Sequence, residues 1–331
     1  MISKIRLNLD SIALMLFCAR LRAYKVAPLS MDEWVTVEKA IKKNGLKGPA
    51  SLLSLSQIEL EELLEINEFV AYKMIKRIKS LNIFLSILNT FEEKGINVTT
   101  KYEDNFPLSL AKHLRKRAPL YLFYCGDITI VNDGISLMGL VKVTKKDRIY
   151  AKRLIDKAID ENYVYVSNDS KGVDTVALRY ALQQGCKCVN FVCERLAAKQ
   201  KEYHRYIKTG QLVMICAEDP NSYFDVTNAI DRNSYVCALS KYQIIVSSSI
   251  NNGATWFTAL QNLHNKWTIP MAIEGVYLGN DRLLDMGVTP IMVEDVLADY
   301  TYDLIYEKNK KIIENNEVNI DQMSIFEFIG E

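Results

Sequence analysis

The sequence predicts an α/β protein: a doubly wound, mostly parallel sheet preceded by a small N-terminal helical domain. Three observations carry this. From about residue 134 onward, short apolar runs alternate with amphipathic stretches, the pattern of strands buried on both faces between covering helices. Residues 1–97 instead carry apolar positions at three- and four-residue spacing with no strand-like run. A length of 331 residues suits about two domains. The expected layout is a helical domain over 1–97, of the SAM or helix-hairpin kind, a Rossmann-like sheet domain over 98–300, and a flexible tail over 301–331.

The helical part divides into LNLDSIALMLFCARLRA, MDEWVTVEKAIKKNG and a long stretch from SLSQIEL to EEKG. Asp32 and Ser56 are the expected N-caps and Gly45 and Gly95 the expected stops. Ser56 has Glu59 three residues on, the spacing of a capping box. The short link LKGPASLLSLS indicates a compact bundle. After Gly95, INVTTKYEDNFPLSL is β-rich and broken by turns, and APLYLFYCGD reads as a strand ending at Gly126-Asp127.

The alternation then runs in order. GISLMGL is a strand and KKDRIYAKRLIDKAIDEN a helix; YVYVS is a strand and GVDTVALRYALQQG a helix. CKCVNFVC is followed by the helical AAKQKEYHRYIKTG, and QLVMICA by FDVTNAIDRNSYVCALS. YQIIVSSS precedes the helix TWFTALQNLHNK, and WTIPMAIEG is one more strand. Ligands of such sheets bind outside the carboxyl ends of the strands, which directs attention to the turns there.

Composition narrows the function classes. Hydrophobic residues make up 49% and charged residues 24%, and the net charge is +1, so any basic surface is local. No apolar run reaches the roughly 20 residues a bilayer span needs; SIALMLFCA, before Arg20 and Arg22, is a packed helix rather than a leader. The seven cysteines are expected as reduced thiols in a cytoplasmic protein with no membrane partner. Cys186, Cys188 and Cys193 lack the spacing of a zinc ribbon. None of His113, His204 and His264 lies in a nucleophile or metal motif, and there is no Walker loop. The expectation is a protein without catalytic residues, metal or cofactor.

The turns themselves suit an anion. Gly172 and Gly253 each stand at a strand-to-helix junction, where helix N–H groups and the dipole attract phosphate. Ser167, Ser170, Lys171 and Asp174 surround the first, and Asn252 and Thr255 the second. Lys142, Lys145 and Arg232 are candidates for charge-assisted bonds to phosphate oxygens, and Asn233 and Asn280 are further candidate phosphate-binding residues. Trp256 and Tyr235 are candidate stacking faces for bases, set against a core role for Trp256. Asp169 is the discordant residue, a carboxylate inside a phosphate cradle beside Lys171.

Several of these stretches resemble the DNA-processing protein A (DprA/Smf) family. YEDNFPLSL before APLYLFYCGD is similar to its Tyr-Pro-x-x-Leu and Pro-x-x-Leu-Phe-x-x-Gly elements, and SNDSKGVDTVALRYAL to its Ser-Gly-x-Ala-x-Gly-Ile-Asp helix start. DRNSYVCALS resembles Arg-Asn-Arg-Ile-Ile-x-x-Leu-Ser, NNGATWFTAL resembles Ser-Gly-Ser/Thr-x-x-Thr-Ala, and LGNDRLLDMGVTPI resembles Gly-x-Asn-x-Leu-Ile-x-x-Gly-Ala-x-Pro. There are departures. MGLVKVTKKD, with Val141, replaces a Gly-Ser-Arg; Ser167-Asn168-Asp169-Ser170 replaces Ser-Gly-x-Ala; Leu178 replaces a histidine and Ser234 the second arginine.

The resemblance implies a single-stranded DNA-binding protein of DNA processing and recombination, a homodimer that protects DNA and loads a recombinase, or one that works in defence against foreign DNA. The alternatives are a nucleotide sensor or hydrolase on the same fold, and an adaptor recruited through its tail. In that tail, Gln322-Met323-Ser324-Ile325-Phe326 is similar to the peptide Gln-Leu-Ser/Asp-Leu-Phe that docks on the replication sliding clamp.

Overall fold

The computed structural model describes residues 6–131 and 134–315. Helices α1 (Leu9–Cys18), α2 (Met31–Lys43), α3 (Gln57–Leu64), α4 (Glu68–Lys79) and α5 (Leu81–Glu92) come first. They are followed by β1 (Asn97–Thr100), α6 (Leu108–Leu114) and β2 (Tyr121–Cys125). Then come β3 (Gly134–Met138), α7 (Lys145–Asp160), β4 (Val164–Ser167), α8 (Val173–Gln183) and β5 (Cys188–Phe191). Next are α9 (Leu196–Glu202), α10 (His204–Lys208), β6 (Leu212–Cys216) and α11 (Val226–Ala238). The chain continues through β7 (Ser240–Ile245), α12 (Gly253–Asn265), β8 (Ile269–Ile273), α13 (Leu278–Asp285), β9 (Thr289–Ile291), α14 (Val293–Leu297) and α15 (Tyr302–Asn315). The α/β class with a mostly parallel sheet and a helical N-terminal region is as the sequence predicts. No described helix is long and apolar enough to cross a membrane.

The chain forms two compact units, and the dividing line is not residue 97. One unit joins residues 6–131 with Lys187–Tyr235. Its helices pack Leu14, Phe17, Trp34, Leu52, Leu60 and Met74 into one core. Both expected capping positions of that region are informative. Ser56 and Glu59 form the expected box. The cap of α2 is Ser30, boxed with Glu33, while Asp32 sits inside the first turn; a serine one residue before an apolar start outcompetes an aspartate that follows it. The long third helical stretch is three helices: Glu65 takes a left-handed conformation (φ 52°) and Asn67 caps α4, and Ser80 (φ −107°, ψ 16°) separates α4 from α5. The strands of this unit lie in the order β1, β2, β6, β5, with β1–β2 and β2–β6 antiparallel and β5–β6 parallel.

The other unit holds residues 134–186 and 236–315. Its strands lie in the order β4, β3, β7, β8, β9, and each pairs in parallel with its neighbour. β4 follows β3 on one side and β7 flanks β3 on the other, so the chain reverses direction across the sheet between β3 and β7. Two differences from expectation fall here. Trp256 is buried in the core with Ile245, Leu283 and Val288, so it is no stacking platform. The chain does not become a tail at 301: α15 is a helix whose Tyr302, Ile305 and Asn309 are buried, with Asn309 Nδ2 donating to the Pro290 carbonyl. The spacing of these three residues puts one narrow stripe of a mostly polar helix inward. The clamp-like motif Gln322–Phe326 lies outside the described residues.

Candidate nucleic-acid interface

The reversal between β3 and β7 is the place where a doubly wound sheet opens a crevice at its carboxyl edge. The loops on either side are tied together. The Leu140 amide donates to Ser247 Oγ at 2.9 Å, and Thr255 Oγ1 donates to the Gly139 carbonyl at 3.1 Å. Gly172, at the start of α8, has φ 96°, and a Cβ there would lie 2.2 Å from the Leu140 carbonyl oxygen. Only glycine permits this approach, and it sets the β4 loop against the β3 loop. Lys142, Lys145 and Lys171, one or two residues from these contacts or at the start of the next helix, are all exposed.

The β7 loop supplies the other half. Asn251 (φ 51°) and Gly253 (φ 83°) bend it into the 13-residue helix α12. Asn252 at the N-cap makes no side-chain cap bond, and Asn252 and Gly253 are exposed. The first amides of an α-helix have no intrahelical acceptor, so an uncapped and exposed start is suited to an oxyanion. At α7 the arrangement is the opposite. Thr144 and Asp147 close a capping box, and the buried Asp147 carboxylate also accepts from Tyr277 Oη at 3.0 and 3.1 Å. That start is filled from within, and Tyr277 was not legible as part of it.

The opening loop, Ser167 to Gly172, is organised inward. Asp174 is 2% exposed. Its carboxylate accepts from Tyr165 Oη at 2.7 Å, Ser167 Oγ at 2.9 Å, the Ser170 amide at 3.0 Å and the Asn168 amide at 3.4 Å. Burial pushes this carboxyl up to about 6, against the pull of the Tyr165 and Ser167 hydroxyls. The Ser170 and Asn168 amides of this loop therefore face a carboxylate of the chain itself. Asp169 takes a left-handed conformation (φ 54°), and its amide donates to Ser167 Oγ at 3.1 Å.

Among the residues singled out from sequence, the structure thus separates two groups. Lys142, Lys145, Ser170, Lys171, Gly172, Asn252 and Gly253 reach the surface. Ser167, Asp174, Thr255 and Asn280 are buried. Asn280 Nδ2 donates to the carbonyls of Ile273, Val246 and Ile245 at 2.9, 3.1 and 3.3 Å, clamping α13 to the ends of β7 and β8. In the other unit, Arg232 is 8% exposed. Its Nη1 donates to Cys193 Sγ at 3.3 Å and its Nη2 to Asn233 Oδ1 at 3.1 Å. Tyr235 is half-buried against Phe191, with ring centroids 5.3 Å apart and the rings tilted by 50°. The buried members shape the turns, and the exposed members stand at the surface of the strand-end loops.

Glycine turns, an uncapped helix start and exposed lysines thus stand at the switch point of the parallel sheet in a doubly wound protein. The family of the DNA recombination-mediator protein A matches residues 97–301. The chain belongs to that family, which works in DNA processing and recombination. It is 24% identical over 197 residues to the DNA processing protein DprA of Streptococcus pneumoniae (strain ATCC BAA-255 / R6), covering 56% of this chain and 68% of that one. The fold is similar to the X-ray structure of the Streptococcus pneumoniae DprA: TM-score 0.66 and 19% identity, over 90% of this chain and 99% of that one. It is also similar to DNA processing protein A of Helicobacter pylori, a structure described for its unique single-stranded DNA binding mode. There the TM-score is 0.51 and the identity 16%, over 67% of this chain and 98% of that one.

Proposed function

We propose that the chain binds single-stranded DNA along the carboxyl edge of the β4–β3–β7 strands. The observation that supports this most is the approach of Gly172 to Leu140, which sets the two lysine-bearing loops side by side. Lys142, Lys145 and Lys171 then meet backbone phosphates, and the exposed start of α12 at Asn252-Gly253 takes one more. Family membership and the single-stranded DNA binding described for the Helicobacter pylori protein favour the same ligand. Acting in the cytoplasm, such a protein would protect incoming DNA or hand it to a recombinase, and a homodimer would double the length of strand it covers. The Gln322–Phe326 peptide would recruit it to a sliding clamp.

Fluorescence anisotropy with a labelled single-stranded oligonucleotide across a salt series tests the reading. Affinity is expected to fall with salt, and each phosphate neutralised by the protein adds about 0.7 to the log–log slope. Replacing Lys142, Lys145 and Lys171 together by glutamine should flatten that slope by about 2. Absence of binding at low salt, or an unchanged slope in the triple variant, would overturn it.

A further inference from the structure

The unit that carries Arg232 has a second basic feature that the strand-end motifs do not include. From Lys112 to Arg117 the chain reads KHLRKR. Lys112 and His113 end α6, and Arg115, Lys116 and Arg117 form a single helical turn before β2. Arg115 is in a positive-φ conformation (φ 54°). Lys112, Arg115, Lys116 and Arg117 are exposed, whereas Leu114 within the run and Pro119 after it are buried.

The register fixes where this charge lies. β2 runs antiparallel to β6, with Phe123 opposite Cys216. The residues entering β2 therefore stand at the carboxyl end of β6. Arg117 agrees with that position, with its Nη2 3.7 Å from Asp231 Oδ1, one residue before Arg232. Arg232 itself directs its donors to Cys193 and Asn233. Arg117 is exposed but shares its charge with the half-exposed Asp231, and Lys112, Arg115 and Lys116 add further exposed positive charge beside this pair.

We infer that Lys112, Arg115 and Lys116 form a second phosphate-contacting patch that takes the backbone of single-stranded DNA; this rests on the reading of the chain as a single-stranded DNA binder. The chemistry favours a polyanion over an acidic protein. Protein interfaces draw their affinity from clusters of apolar and aromatic anchors at their centre, whereas here Leu114 and Pro119 are buried and Leu108, one turn before Lys112, is a single exposed apolar side chain on α6. A phosphodiester chain presents one charge per nucleotide and needs only cations on flexible stems to follow it.

The experiment compares three full-length proteins on a labelled single strand of about 30 nucleotides across the same salt series. They are wild type, K112Q/R115Q/K116Q, and a charge-matched control, K42Q/K43Q/K47Q, altered at exposed positions in and after α2. The patch variant should lower the salt slope by about 2 and bind roughly tenfold more weakly at low salt, while the control stays within about twofold of wild type. An unchanged slope in the patch variant overturns the inference and leaves the cleft reading standing. An equal reduction in the control also overturns it, since the effect is then one of overall charge. Wild type that fails to bind at low salt overturns the cleft reading itself, and this inference with it. If the triple variant melts early, Lys116→Glu alone decides the matter, with a slope reduction of about 1 expected and an unchanged slope fatal.

Discussion

Arg77 in the helical region and Asp174 at the strand ends are both buried charges, 1% and 2% exposed, and both are held by hydrogen bonds to neutral groups. They are satisfied in opposite senses. Arg77 donates to the carbonyls of Leu16, Ala19, Val26 and Ala27, so one guanidinium pins the end of α1 and the loop after it. Burial lowers its pKa to about 10, which keeps the charge at neutral pH. Asp174 accepts from two hydroxyls and two amides and is pushed up to about 6. The cation closes a loop whose carbonyls would otherwise be orphaned, whereas the anion gathers the amides and hydroxyls of its own loop. Burying a charge costs stability unless every bond it can make is made. The two regions use the same device, one to build a scaffold and one to set the shape and charge of a strand-end loop.

The largest effect is expected from Arg77→Met. It strands the four carbonyls and should cost about 4 kcal/mol. Arg77→Lys keeps the charge without the planar fork and should cost about half of that. Hydrogen exchange resolves where the destabilisation falls. Amides of α1 and α4 should lose protection while those of β3 and β4 keep it; uniform loss would break the contrast between the regions.

Asp174→Ala should come next, at about 3 kcal/mol, with the four bonds that Asp174 accepts lost. Asp174→Asn separates charge from shape. The folded carboxyl near 6 lies above its ordinary value of 3.8, so the folded state holds the proton more tightly than the unfolded one. The cost of the charge is present in full above about pH 6 and relieved as pH falls toward about 4. Wild type should therefore gain on Asp174→Asn over that window in urea titrations. A constant difference from about pH 8 to about pH 4 would show that the carboxyl is not perturbed.

The sequence carried the alternation of strands and helices, the glycine turns and the family fragments because these are local signals: period, punctuation and short motifs. It did not carry which side of a turn its polar groups face. Arg77 sits in MIKRIK, where a basic residue reads as one more solvated position on an amphipathic helix. Asp174 reads as a helix-start acid, and its inward role depends on Tyr165 on the preceding strand. Arg232 reads as a phosphate ligand, yet Cys193, 39 residues earlier, takes its Nη1. The run KHLRKR was legible, but only the antiparallel register of β2 and β6 gives it a place. In α15, three inward residues among lysines and acids are too sparse to outweigh a polar composition.

The smallest effect sharpens the comparison most. Ser167 reads from sequence as a phosphate ligand, but it is fully buried, donates to Asp174 Oδ2 and accepts from the Asp169 amide. Ser167→Ala removes one of the four bonds to the carboxylate, so a destabilisation of about 1 kcal/mol is expected, read as a drop of a few degrees in melting temperature. The Asp174 carboxyl should rise further, since a hydrogen bond that favours its charged form is gone. Affinity for single-stranded DNA should stay within about twofold and its salt slope unchanged, because a neutral buried hydroxyl releases no counterion. A reduced slope in Ser167→Ala would mean that the loop opens on binding and hands its amides to phosphate, with Asp174 serving as the internal stand-in for the ligand.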